Sequence, residues 1–215
     1  MPTLIESARQ MIMVAFMGLP MMILGFTFFL GFGLGNVGLI LLFLGQITVA
    51  PAATYLLQFL LQGVSRLPNY DVCNLVPSAA ARGGMVPVAP TFWMAQFLFF
   101  IGYLLENAYS LYTQVADPEA SEVKVQNRKE QALTAIIVTS LIAVVIVALR
   151  YKLTGCESFV GILVASLTLL PLGVGWYQFA ASCGIRSADV FGISAKILPI
   201  GATAPPPQVC VPSKA

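Results

Sequence analysis

The sequence predicts an all-α integral membrane protein, a bundle of about five transmembrane helices followed by an extended, proline-rich C-terminal tail. Hydrophobic residues make up 58% of the 215 residues and charged residues only 9%, against about 25% in an average soluble domain. Five apolar stretches reach the length of about 20 residues that crosses a hydrocarbon core of about 30 Å. Residues 199–215 contain five prolines and few large side chains, so they cannot form a core.

Charge and histidine content exclude several classes of function. The chain has 11 Lys and Arg against 9 Asp and Glu, a net charge of +2, and these charges are too scattered for a nucleic-acid surface. Histidine is absent, which removes the commonest transition-metal ligand and the usual general base. We therefore expect no enzymatic activity, no metal site, no cofactor and no nucleic-acid partner.

The first two predicted spans are residues 11–30 and 37–61, joined by the glycine-rich stretch GFGLGNVG. Glycine accepts positive φ, so these glycines and Asn36 favour a tight turn. The alternative is a hairpin that only partly crosses, which would leave four spans plus a re-entrant hairpin. Pro20, Pro51 and Pro171 interrupt predicted spans and are expected to kink them, with neighbouring helices satisfying the freed carbonyls.

The third predicted span, residues 92–111, contains an ionisable residue. Trp93 and Tyr112 lie 19 residues apart, or about 28 Å along a helix, which matches two interfacial aromatic belts. Glu106 then lies inside the membrane, where one hypothesis is a proton or ion site. The alternative is that Glu106 reaches the headgroups or bonds to a neighbouring helix. We favour this alternative because no partner charge is evident within another span.

The fourth and fifth predicted spans are residues 132–149 and 159–181, and a charged stretch precedes the fourth. Asp117, Pro118 and Glu119 have the pattern of a helix start, with a capping residue, proline at the first position and acid in the first turn. This helix is expected to run directly into the fourth span. It is either a solvated face or a protein-docking element, and the candidate docking residues in it are Asp117, Glu119, Glu122, Lys124 and Arg128.

The loops and cysteines divide between two faces of the membrane. Residues 63–90 are predicted to be a long, turn-rich loop on the face of the N-terminus, and Lys and Arg are spread too evenly for the positive-inside rule to orient the chain. Cys73 and Cys156 share one face, and Cys183 and Cys210 share the other. Either pair could form a disulfide, Cys73–Cys156 is the preferred bridge, and free buried thiols are the alternative.

The tail divides into two parts. Residues 182–198 are expected to leave the membrane and form a short amphipathic helix, because apolar residues recur at helical spacing from Val190. Residues 199–215 are expected to form an extended arm, since consecutive prolines favour the polyproline II conformation. The helix is expected either to lie in the membrane interface or to pack on a protein, and the arm is either a flexible linker or a docking peptide. The candidate docking residues are Arg186, Asp189, Phe191, Lys196, Pro205, Pro206 and Pro207.

Four segments resemble polytopic inner-membrane proteins of large icosahedral DNA viruses of algae and amoebae. They are residues 88–112 (VAPTFWMAQFLFFIGYLLENAYSLY), 127–132 (NRKEQA), 150–157 (RYKLTGCE) and 183–199 (CGIRSADVFGISAKILP). The resemblance covers about the last 130 residues and brings no catalytic residues. It implies a minor capsid protein in the virion inner membrane, derived from host endoplasmic reticulum and lying beneath the capsid.

The expected function is therefore structural. The bundle would anchor an internal membrane to capsid or minor capsid proteins through the charged loop and the tail, with lipid, these proteins and a second copy of the chain as partners. The alternative function is a small channel or transporter that uses Glu106 and the proline-kinked spans.

Overall fold

The computed structural model describes residues 4–61, 90–114, 122–154, 157–182 and 190. In these residues all regular structure is helical, so the predicted all-α class is confirmed, while the predicted proline-rich tail lies outside the described residues. The helices are α1 (Leu4–Gly33), α2 (Val37–Ile47), α3 (Val49–Leu60), α4 (Phe92–Thr113), α5 (Glu122–Leu149) and α6 (Phe159–Ser182). A π-helical turn, Arg150–Thr154, follows α5.

Four segments of the described chain are long and apolar enough to cross a membrane. They are Val14–Gly33, Val37–Leu60, Val125–Lys152 and Phe159–Ser182. Helix α4 is not one of the four, and it carries the polar residues Gln96, Glu106 and Asn107 within its length. It packs against α5 and α6 most extensively and against α1, α2 and α3 on its other sides. A central helix shielded by protein can carry polar groups that a lipid-facing helix cannot.

Helix α4 runs beside α6 in the same direction. Thr91, at the start of α4, bonds to Glu157 just before α6, and Asn107, towards the end of α4, bonds to Tyr177 near the end of α6. The two helices therefore traverse the same thickness of the bundle. With α2 and α3 counted as one, the described chain has five helical passes along the bundle, and four of them are long and apolar enough to cross a membrane.

The glycine-rich stretch after α1 forms the predicted tight turn. Gly35 has a φ of +61°, a conformation that glycine adopts without strain. Asn36 then caps α2, since its side-chain oxygen accepts a hydrogen bond of 3.0 Å from the backbone N–H of Leu39. The turn allows α1 and α2 to pack closely, with Gly31 against Ile40.

The second predicted span, 37–61, is one apolar segment long enough to cross a membrane, Val37–Leu60, and it consists of two helices with a break near Pro51, as expected. Helix α2 ends at Ile47 and α3 begins at Val49, with Thr48 between them at φ −116° and ψ −62°. Pro51 explains the break, because it lacks an N–H and its ring conflicts with the carbonyl four residues earlier, that of Ile47. By contrast, α1 continues through Pro20 and α6 through Pro171.

The fourth helix starts earlier than its predicted span. Helix α5 begins at Glu122 and continues without a break to Leu149, so the charged segment 122–130 is helical and joins the apolar segment directly. This confirms the predicted continuity for the described part. Asp117 and Glu119 lie outside the described residues.

The core lies between α4 and α6, whose backbones touch. A Cβ atom on Gly102 would overlap the carbonyl oxygen of Leu170, and one on Gly173 would overlap that of Phe99. Small residues allow this approach, the usual means of packing helices in a membrane, where lipid removes the hydrophobic drive between helices. The core residues around this contact are fully or nearly buried: Trp93, Met94, Phe97, Phe99, Leu42, Tyr103, Ala165 and Leu169.

Candidate functional site

A buried ion pair lies at the end of the bundle where α4 and α6 begin. The Arg150 Nε and Glu157 Oε1 atoms are 3.7 Å apart, and the side chains are 1% and 0% exposed. The hydroxyl of Thr91 donates a hydrogen bond to Glu157 Oε1. The guanidinium of Arg150 also lies over the ring of Trp93, with Cζ 4.7 Å from the ring centre. We name Thr91, Trp93, Arg150 and Glu157 the junction cluster.

Local structure places each member of the junction cluster at the end of a helix. Thr91 is the N-cap of α4, where its Oγ1 accepts a hydrogen bond of 3.2 Å from the N–H of Met94. Arg150 opens the π-helical turn after α5. Glu157 immediately precedes Ser158, whose Oγ accepts from the N–H of Gly161 in the first turn of α6. The cluster thus ties the start of α4 to the connection between α5 and α6.

The electrostatics of the junction cluster are dominated by burial. Removal from water raises the pKa of the Glu157 carboxyl from 4.5 to about 7, against the opposing effects of the Thr91 hydrogen bond and the positive charge of Arg150. Glu157 Oε2 has no hydrogen-bond partner among the described residues. A buried carboxyl beside one cation can hold or release a proton near neutral pH.

The junction cluster does not have the composition of a metal or nucleophilic site. Among the described residues there is no group of three or more His, Cys, Asp or Glu side chains that could hold a metal ion. Its four side chains are a hydroxyl, an indole, a guanidinium and a carboxyl, and their contacts make a point of attachment between helices.

A second polar cluster lies at the opposite end of the bundle. Asn107 is fully buried, and its Nδ2 donates to the hydroxyl of Tyr177 over 3.3 Å. Its Oδ1 accepts a hydrogen bond of 3.1 Å from the backbone N–H of Val190. Val190 also packs against the apolar cluster that contains Tyr103 and Tyr177. Asn107 therefore attaches the chain beyond α6 to the end of the bundle.

Glu106, the predicted in-span ionisable residue, lies beside this second cluster. Its side chain is half-buried, and its Oε1 accepts a hydrogen bond of 2.9 Å from Nε2 of Gln178 on α6. This contact matches the alternative interpretation of Glu106, in which its side chain bonds to a neighbouring helix.

Two of the predicted docking residues have described side chains. Glu122 is exposed at the start of α5. The Arg128 side chain bonds within the protein itself, since its Nη2 donates a hydrogen bond of 2.6 Å to the carbonyl of Gln114 just after α4. Lys124 lies on α5, and nothing is described of its side chain. The other predicted docking residues lie outside the described residues: Asp117, Glu119, Arg186, Asp189, Phe191, Lys196, Pro205, Pro206 and Pro207. Both cysteines of the predicted disulfide, Cys73 and Cys156, lie there too.

Sequence reasoning missed the junction cluster. The sequence pattern predicts no role for Arg150, which follows the fourth predicted span, or for Glu157, which precedes the fifth. One available signal was Thr91, which follows Pro90 and precedes an apolar run, the pattern of an N-cap. A second signal was the presence of Arg150 and Glu157 at the two ends of the short connection between α5 and α6. A buried charge needs a partner of opposite charge, so burial of one of them would favour burial of the other.

Comparisons with models of protein families, with curated proteins and with solved structures found no match for this chain.

Proposed function

We propose that this chain is a structural integral membrane protein that attaches a membrane to an overlying protein layer. The observation that carries the proposal is the form of α5, which continues from its apolar segment into an exposed, charged helical segment over residues 122–130. A virion inner membrane beneath a capsid, with minor capsid proteins as partners, is the setting that the sequence resemblance implies.

The position of the charged segment supports this proposal. Arg128 bonds to Gln114, just beyond the end of α4, and Val190 bonds to Asn107 in the last third of the same helix. The charged segment and the chain that leads into the tail therefore emerge at the same end of the bundle. Two segments on one face can engage one protein layer together, and linked contacts raise avidity above that of either contact alone.

The packing of the bundle also favours a structural role. At Gly102 and Gly173 the backbones of α4 and α6 are in direct contact, so the space between these two helices is filled by the chain itself. A filled contact of this kind holds helices rigidly and leaves no path for an ion between them.

Crosslinking in intact particles or native membranes tests the proposal. Photoreactive residues would replace Gln126 and Lys129, which are exposed on the charged segment, and Val144, which is 67% exposed on the apolar part of the same helix. We expect crosslinks from positions 126 and 129 to a protein of the overlying layer, the shell protein, and crosslinks from position 144 to lipid. Crosslinks to lipid alone from all three positions would contradict the anchoring role.

A flux assay distinguishes this function from the alternative of a channel. The ionisable Glu106 and its Gln178 partner are the features on which a channel would depend. We expect liposomes that contain the purified protein to show no ion flux above that of empty liposomes. Flux that Glu106→Gln abolishes would favour the channel.

A further inference from the structure

One carboxyl group links three helical segments at the junction cluster. Glu157 Oε1 accepts a hydrogen bond from the hydroxyl of Thr91 and faces the guanidinium of Arg150. The same Thr91 hydroxyl oxygen accepts the N–H of Met94, so the contact at Glu157 also fixes the cap of α4. Loss of the Glu157 contact would therefore remove the acceptor that holds the α4 cap residue and the ion-pair partner of Arg150 together.

We propose that Glu157 is a proton-dependent clasp that holds the start of α4 against the connection between α5 and α6. The clasp is closed most tightly when the Glu157 carboxyl carries a proton, and it loosens when that proton is lost. This inference does not rest on the anchoring role.

The direction follows from the environments of the carboxyl in the closed and open forms. In the closed form the Glu157 side chain has no contact with water, and burial raises its pKa to about 7. In the open form water reaches the carboxyl, and its pKa returns towards the ordinary value of 4.5. The closed form therefore binds the proton more tightly, and the open fraction falls as the pH falls from about 7 to 4.5. Linkage limits the change to about tenfold per pH unit.

Arg150 is the charged group that faces Glu157 among the described side chains, and it approaches from the α5 side. From α4 the facing groups are the uncharged Thr91 hydroxyl and the Trp93 ring that stacks on Arg150. The nearby Lys152 is exposed and lies over the ring of Tyr151, with Nζ 5.6 Å from the ring centre.

Hydrogen exchange of the first turn of α4 tests the clasp. The Met94 amide donates to Thr91 Oγ1 and the Ala95 amide to the Thr91 carbonyl oxygen. We expect both amides to exchange faster when Thr91 separates from Glu157. Glu157→Gln replaces the carboxyl with a neutral group that resembles its protonated form. The ratio of wild-type to Glu157→Gln exchange rates, taken at each pH, cancels the chemical pH dependence of exchange itself.

We expect this ratio to rise as the pH is raised from 4.5 to 7 and to be constant above 7. The amide of Leu39, which bonds to Asn36 at the other end of the bundle, should show no such change. Glu106→Gln, an identical chemical change at a half-buried position, should reproduce the wild-type profile. If Glu157→Gln does not fold, the double variant Arg150→Met/Glu157→Met serves as the reference, since it removes both buried charges.

Infrared spectroscopy supplies the second measurement. The carboxyl C=O band of Glu157 should disappear as the pH is raised through about 7 and should be absent in the variant. A pH-independent exchange ratio would overturn the proposal even if the band titrates, because Glu157 would then bind a proton without controlling the contact. A ratio that falls with rising pH would also overturn it.

Discussion

The indole N–H of Trp93 donates a hydrogen bond to the carbonyl oxygen of Phe16, with 3.0 Å between nitrogen and oxygen. Phe16 lies four residues before Pro20, which has no N–H to offer that carbonyl. The side chain on α4 thus replaces the missing helical donor of α1, and the rings of Phe16 and Trp93 pack at a centroid distance of 5.3 Å. This contact explains how α1 continues through its proline.

A double-mutant cycle between Trp93 and Pro20 tests this replacement. Trp93→Phe should lower the free energy of unfolding by about 1 kcal/mol through loss of the hydrogen bond, in addition to the loss of ring area. In a Pro20→Ala background the new N–H can satisfy Phe16, so the same substitution should cost about 1 kcal/mol less. Denaturant titration in micelles, followed by circular dichroism, measures the difference. Equal costs in both backgrounds would contradict the replacement.

Gly173 and Gly175 on α6 provide a matched test of the α4–α6 contact. A Cβ on Gly173 would overlap the Phe99 carbonyl oxygen, whereas a Cβ on Gly175 would meet no atom within 4 Å. Gly173→Ala should force the helices apart and lower the free energy of unfolding by about 2 kcal/mol or more. Gly175→Ala should be neutral or slightly stabilising, since alanine favours the helix. Similar effects at both positions would mean that the helices do not approach as described.

The sequence predicts much of this fold and little of its polar contacts. Helices, the turn at Gly35 and the kink before Pro51 follow from hydropathy and from backbone rules that act within a few residues. The contact of Thr91 with Glu157 spans 66 residues of sequence, and that of Asn107 with Val190 spans 83. Such contacts depend on which helices become neighbours, and apolar helices of similar composition do not encode that choice in their local pattern.

Arg128 and Lys129 are adjacent on α5 and have different predicted roles. Arg128 donates to the carbonyl of Gln114, and Lys129 is exposed. Arg128→Ala should lower the free energy of unfolding by about 1 kcal/mol through loss of a charged hydrogen bond, whereas Lys129→Ala should leave it unchanged. If the charged segment docks on protein, Lys129→Ala should instead weaken binding to the shell protein. A loss of stability in Lys129→Ala with none in Arg128→Ala would refute the structural role of Arg128.

Asn107 is expected to control the position of the chain after α6. Its Oδ1 accepts a hydrogen bond from the N–H of Val190, and its Nδ2 donates one to the hydroxyl of Tyr177. Asn107→Ala removes both contacts, and Tyr177→Phe removes only the second, so the two variants separate attachment of the tail from general weakening of the core. Hydrogen exchange at the Val190 amide should accelerate in Asn107→Ala and stay slow in Tyr177→Phe. Acceleration in both would indicate loosening of the whole bundle end, and protection in both would show that Val190 is held by its apolar packing rather than by Asn107.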